Sequence, residues 1–313
     1  MKIIDAHVHL VQTIAGFSSM GEIRACGKGC GMDAMGNIFP MLPPEIGEYN
    51  AAPEAVLKVM DAHSVQKAVL LQGTYFGFQN QYSYEAMQRY PDRFAAAASY
   101  DPFCGQKDAI RTHLFDELGF KIVKFEVSSR CGLSGYHTAI DLNGELMHDV
   151  YRHAAQRNLT FGIDIGRPGT KSWQIDALCT AIQSYPEMKF VICHLAAPHP
   201  GEDELVQSVL KKLSLDNVWF DLAALCSNSR PETFPYPSAL RYIRYAIDIA
   251  GPDRLIWGSD LPSTMVRDSY QNQIDFIALS DAFTETEKSK IFYENADYVY
   301  FGTPYGVFQQ EML

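Results

Sequence analysis

The segment Asp5-Ala6-His7-Val8-His9 stands near the start of a 313-residue chain. Two imidazoles one residue apart on an extended segment point the same way, because strand side chains alternate with period two. A hydrophobic core gains nothing from two polar rings side by side, whereas a metal ion does. Further ionisable groups close other short apolar runs: Lys124 and Glu126, Asp164, His194 and Asp260. Arg130 and Arg167 follow two of these runs, and Arg24 and Lys28 lie in a glycine-rich stretch. Such cations suit an anionic substrate, a carboxylate held by forked hydrogen bonds, with a solvated surface role for each as the alternative. His137 and His199 fall in the same post-strand loops and are candidates for substrate contact. His63, His113, His148 and His153 sit in helical stretches and read as structural, as do Trp173 and Trp257. Cys26 and Cys30 have the look of half a metal site, but no second pair follows nearby, so a flexible glycine-rich loop is the alternative.

The elements that must position these groups alternate along the chain. Short β-rich runs occur at 2–9, 66–72, 94–100, 121–127, 159–165, 189–194, 217–222 and 254–258. Helical patterns lie between them near 53–63, 80–90, 106–118, 143–157, 171–185, 202–213, 236–250 and 269–279. Eight strand–helix units over this length predict a (β/α)8 TIM barrel in one domain, residues 1–313. A doubly wound sheet competes, but no Gly-x-Gly-x-x-Gly follows the first strand and no phosphate-binding loop is present. In a barrel, His7 and His9, Lys124 and Glu126, Asp164, His194 and Asp260 all reach the C-terminal rim, where barrel active sites are built. Residues 11–50 interrupt the rhythm with a Gly-, Met- and Pro-rich connection that leaves this same rim. So long a connection is expected to have a use, and we read it as a lid, against the alternative of a disordered or oligomer-contacting insertion.

Composition narrows the class. A hydrophobic content of 47% with 20% charged residues is that of a globular protein with a large core. A net charge of −11 argues against nucleic-acid or anionic-membrane binding. No apolar run is long enough for a membrane span, and the first residues already read as a strand rather than a signal peptide. Seven scattered cysteines suit reduced thiols and a cytoplasmic location. A homo-oligomer is left open.

The chain resembles the amidohydrolase superfamily, and within it the amidohydrolase-2 group, which includes aminocarboxymuconate-semialdehyde decarboxylase-like enzymes and lactone hydrolases. The resemblance rests on Asp-Ala-His-Val-His at 5–9, Cys-His-Leu at 193–195 and Trp-Gly-Ser-Asp-Leu-Pro at 257–262, with Asn295-Ala296 and Phe301-Gly302 near the end. It implies that His7 and His9 are metal ligands, that His194 is a ligand or polarising acid, and that Asp260 is a ligand that also handles a proton. One position departs: the strand-five histidine of the family is matched here by Asp164, which would complete the set His7, His9, Asp164 and Asp260. A carboxylate there is a harder donor with one more negative charge, and the alternative is that Asp164 binds substrate or pairs with Arg167. Lys124 falls where related barrels carry a bridging carboxylated lysine or a substrate-binding lysine. Glu126 could bridge a second metal, and a Lys124–Glu126 ion pair is the plainer alternative.

The implied cofactor is a divalent metal, zinc first, with manganese or iron as alternatives. The implied reaction is hydrolysis of a small carbonyl compound bearing a carboxylate (a lactone, amide or cyclic imide) by metal-activated water. Asp260 would take the water's proton, and His194 would polarise the carbonyl. Lys124, Glu126, Arg130, Arg167 and His199 are the expected substrate contacts. Non-oxidative decarboxylation of a small unsaturated or aromatic acid uses the same ligands and is the runner-up. An inactive binding barrel is the third expectation.

Overall fold

The computed structural model describes residues 1–302. Eight parallel strands form one sheet: β1 (Ile4–Val8), β6 (Lys67–Leu70), β7 (Phe94–Ala98), β8 (Ile122–Glu126), β9 (Thr160–Asp164), β10 (Phe190–Ile192), β11 (Val218–Asp221) and β12 (Leu255–Ile256). Each falls inside one of the eight runs expected from sequence. The sheet closes into a barrel where the segment after β12 meets β1. Ala6 N–H donates to the Trp257 carbonyl at 3.1 Å, Asp260 N–H to the His7 carbonyl at 2.8 Å, and His9 N–H to the Leu261 carbonyl at 2.8 Å. Helices follow the strands, among them Pro53–Ala62, Asn80–Arg89, Glu145–Gln156, Ile175–Gln183, Asp203–Leu213, Pro237–Ala250 and Tyr270–Ala278. Their apolar faces bury against the outer face of the barrel in the main core.

A smaller apolar cluster fills the barrel's lower interior. Ile4, Ala6, Val69, Ile122, Val191 and Trp219 point inward there and pack against Tyr293, Ala296 and Val299. The last described turns therefore plug the N-terminal end. Thr160 Oγ1 donates to the Val299 carbonyl at 3.1 Å, and Lys67 pairs with Asp297 at 2.8 Å. With the bottom sealed by apolar groups, the polar ends of the strands are left to the opposite rim.

Residues 11–50 are not an irregular loop. They form a four-stranded antiparallel sheet, β2 (Ala15–Ser18), β3 (Gly21–Gly27), β4 (Cys30–Asp33) and β5 (Ile38–Pro40), in that order. Its neck is closed by reciprocal hydrogen bonds between Val11 and Ala51 at 3.0 and 2.8 Å. It docks on the loops after β6 and β8, with Phe17 N–H donating to the Thr74 carbonyl at 2.9 Å and Ser19 N–H to the Arg130 carbonyl at 2.8 Å. Gly16 permits this approach, since a Cβ there would overlap the Tyr75 carbonyl. No helix among the described residues is long and apolar enough to cross a membrane.

Candidate active site

The aim of β1 depends on an irregularity. Asp5 pairs with Ala68, yet Val8 pairs with Leu70, so β1 carries one residue more than β6 between these points. Such a bulge reverses the inward–outward alternation. Below it, Ile4 and Ala6 face the barrel interior and Asp5 faces out. Above it, His7 and His9 face in. Asp5 then ties the β12 segment to the helical layer. It accepts from Ser259 N–H at 2.8 Å, Ser259 Oγ at 2.6 Å and Tyr270 Oη at 2.7 Å. The turn that presents Asp260 is thereby fixed against β1.

His7, fully buried, is oriented from both ends. Its Nδ1 lies 2.5 Å from Asp221 Oδ2, at the end of β11, and its Nε2 accepts from Lys124 Nζ at 2.9 Å. Burial, reinforced by the Lys124 ammonium, holds His7 well below the usual histidine range, so the ring is neutral with its proton on Nδ1. Burial likewise lowers His9. His9 Nε2 lies 2.9 Å from Asp260 Oδ1 and its Nδ1 lies 3.3 Å from Gln72 Oε1. The Gln72 amide is fixed by donation of its Nε2 to the Leu10 carbonyl at 2.6 Å. A neutral imidazole has one N–H, and here both nitrogens face oxygen acceptors. A cation between His9 Nε2 and Asp260 resolves this conflict, with the ring proton left for Gln72. The nearby His7 Nε2, 3.8 Å from Asp260 Oδ1, completes a trio of ligand atoms lying within 4.8 Å of one another. The residues fit a divalent metal held by His7, His9 and Asp260. Its hold on His7 competes with the Lys124 ammonium, since one lone pair serves one partner.

Asp260 and His194 bear opposite electrostatic tendencies. Burial works against the Asp260 carboxylate, but the hydrogen bond from His9 and the neighbouring His7, His9 and His194 rings hold it well below the usual range. Burial likewise works against a charged His194, but the carboxylates of Asp164, Asp260 and Asp221 raise it. His194 follows β10 in a left-handed turn: residues 194–197 have φ of 59°, 54°, 61° and 54°. Such backbone is costly for non-glycine residues and needs bracing. Ala197 N–H donates to the His194 carbonyl at 2.8 Å, Trp173 Nε1 to the Ala196 carbonyl at 3.1 Å, and His194 Nδ1 to the Ala223 carbonyl at 3.0 Å. Asp260 is also left-handed, with φ 63°.

Above the trio opens a cavity of about 610 Å³, lined by Lys124, Glu126, Asp164 and His194 together with Arg130, Arg167 and His199. Asp164 accepts from Gly166 N–H at 2.8 Å and sits 3.9 Å from His194 Nε2. It is not in either of the two groups of clustered ligand atoms, His7–His9–Asp260 and His7–His194–Asp221. Glu126 Oε2 accepts from Thr74 N–H at 2.7 Å and Thr74 Oγ1 at 3.0 Å. Burial, followed by the Asp164 charge, pushes Glu126 up to about 7. His199 donates Nδ1 to the Asn228 carbonyl at 3.0 Å, whereas His137 pairs with Asp101 at 2.6 Å and does not line the cavity. Arg24 and Lys28 are not in its lining either, nor is any residue of the 11–50 sheet. No group of three clustered ligating side chains among the described residues includes Cys26 or Cys30.

Sequence reasoning missed Asp221, Gln72 and Arg267. Asp221 ends an expected strand, and that position is the one signal it carries. Gln72 and Arg267, which also lines the cavity, carry no such mark.

The amidohydrolase-2 family model, described as Amidohydrolase, matches residues 4–302, and the chain belongs to that family. It is 35% identical over 94 residues to an L-fucono-1,5-lactonase from Burkholderia ambifaria; the match spans 28% of this chain and 31% of that relative. Among solved structures, a probable 2-pyrone-4,6-dicarboxylic acid hydrolase from Acinetobacter baumannii, with citric acid bound, shares the fold. That pair has a TM-score of 0.70 at 20% identity, covering 97% of this chain and 100% of the other. An amidohydrolase from Burkholderia multivorans with bound zinc has a TM-score of 0.67 at 17% identity over 97% of this chain and all of its own.

Proposed function

We propose that this amidohydrolase is a metal-dependent hydrolase of a small lactone bearing a carboxylate. The observation that carries this reading is the convergence of His7, His9 and Asp260 on one point at the floor of an arginine-rimmed cavity. The lactonase and the pyrone dicarboxylic acid hydrolase among its relatives, one similar over part of its length and one in fold, support a cyclic ester over an amide or imide. Zinc suits two imidazoles and a carboxylate, with manganese or iron as alternatives.

His7, His9 and Asp260 would hold a divalent ion, which would supply Lewis acidity and make a neighbouring water more acidic. The chain's own groups do the rest. Asp260, held ionised, accepts the proton released as water attacks the carbonyl carbon. His194, raised toward its charged form, donates to the carbonyl oxygen as negative charge develops there. The proton on Asp260 then passes to the ring oxygen as the ester C–O bond breaks, giving a hydroxy acid. Arg130 and Arg167 hold the substituent carboxylate, and Lys124 adds positive charge beside the reacting carbonyl.

The reading is tested by assaying zinc-loaded protein against γ- and δ-lactones with and without a ring carboxylate, following acid release. Ring opening is expected for the carboxylated members, with a loss of at least about a thousandfold in Asp260→Asn. Release of CO2 from aromatic or unsaturated acids without lactone opening would instead make the enzyme a decarboxylase. Absence of any turnover in a metal-loaded protein would favour a binding barrel.

A further inference from the structure

The cavity above the metal trio has a neighbour. A second cavity of about 580 Å³ lies beside the segments that follow β11 and β12, lined by Arg230, Phe234, Tyr236 and Asp268. Ser227 and Arg267 line both cavities and so form the wall between them. Ser227 Oγ, in that wall, is buried with no hydrogen-bond partner among the described residues. A buried hydroxyl left so is costly and is expected to meet a polar partner.

The distribution of arginines points the same way. Arg89, Arg93, Arg111, Arg152, Arg157, Arg241 and Arg244 are held in ion pairs, and Arg254 lies over the Trp219 ring. The remainder are Arg24, Arg130, Arg167, Arg230 and Arg267, and all but Arg24 line one or both of these cavities. The acids of the second cavity are engaged elsewhere. Asp268 accepts from Tyr236 and Asn272, and Glu232 accepts from the backbone and hydroxyl of Ser238. Guanidinium groups left unpaired at a cavity are suited to forked recognition of carboxylates.

We infer that the two cavities form one binding site for an elongated dicarboxylate. One carboxylate lies with Arg130 and Arg167 near the metal trio, the stem passes Arg267, and the second carboxylate accepts from Ser227 Oγ and Arg230. This rests on the reading that the first cavity takes a carboxylated substrate. Phe234 gives the distal end an apolar neighbour for the stem.

Calorimetric titration of the zinc-loaded protein with straight-chain dicarboxylates from malonate to suberate tests the inference. Suberate should bind at least about tenfold tighter than malonate in the wild-type protein. Arg230→Ala should bring the two within about twofold, and Ser227→Leu, which fills the wall, should do the same. Circular dichroism would confirm that both variants are folded. Equal affinities in the wild type, or a length preference that survives Arg230→Ala, would overturn the inference. Malonate binding indifferent to both Arg130→Ala and Arg167→Ala would contradict the underlying carboxylate reading, and the longer site with it.

Discussion

At the scale of single residues, the site is set by how protons are apportioned. Burial and the Lys124 ammonium keep His7 neutral, and Asp221 holds its proton on Nδ1 and fixes the ring, so Asp221→Asn weakens that acceptor and loosens the ring. Carboxylate partners of metal-bound imidazoles typically contribute 10–100-fold in metal affinity, and a loss of about that size is expected in a competition titration with a chromogenic chelator. Unchanged affinity would mean that Asp221 plays no part in aiming His7. Asp164 has a different task. It is the foremost of the charges that raise His194 against the effect of burial. If protonated His194 is the acid, kcat/KM falls as pH rises through the raised His194 pKa. Removing the Asp164 charge lowers that pKa, so the alkaline limb in Asp164→Asn should move to lower pH. A limb that stays in place would detach His194 from the rate. His7, His9, His194 and Asp260 were legible in the sequence, because ionisable groups ending apolar runs are hard to explain by packing. Asp221 was passed over because an aspartate closing a strand also serves as an ordinary turn residue.

Elements place these residues through a strand bulge and a close approach. The bulge in β1 turns Asp5 outward and His7 inward, which simple alternation from 5 to 9 does not reveal. The spacing of the imidazoles was nevertheless enough, since His7 and His9 both lie above the irregularity. Strand β12 must then come within touching distance of β1, and Gly258 makes that contact. A Cβ at position 258 would lie 2.7 Å from His7 Cβ and 2.9 Å from His7 N. Gly258→Ala should therefore destabilise the fold by about 1–3 kcal/mol in denaturant unfolding and weaken metal binding by displacing His7. Wild-type stability in that variant would show that the β1–β12 junction is loosely packed. The eight barrel strands were readable because parallel barrel strands are short, apolar and separated by amphipathic helices. The sheet in residues 11–50 was not, because its glycines and short strands mimic an irregular loop; Cys26 and Cys30 lie at the ends of a hairpin turn there rather than in a cysteine cluster.

At the scale of the whole molecule, the barrel divides its labour between two ends. Apolar side chains and the turns around residues 293–300 seal one end, and ionisable groups gather at the other. Carbon-rich packing supplies stability there, and the strained turns at His194 and Asp260 are the local cost of presenting chemistry. The acidic protein nonetheless collects Arg130, Arg167, Arg230 and Arg267 around the two cavities, so an overall charge of −11 says little about what they take. The proposed chemistry at this rim depends on a metal held by His7, His9 and Asp260. The most direct measurement strips the protein with a chelator, follows hydrolysis of a carboxylated lactone, and then restores zinc one equivalent at a time. Activity should disappear with the metal and return in proportion to it, saturating near one equivalent, and Asp260→Asn should recover nothing. Full activity in stripped protein, verified metal-free by elemental analysis, would contradict that dependence.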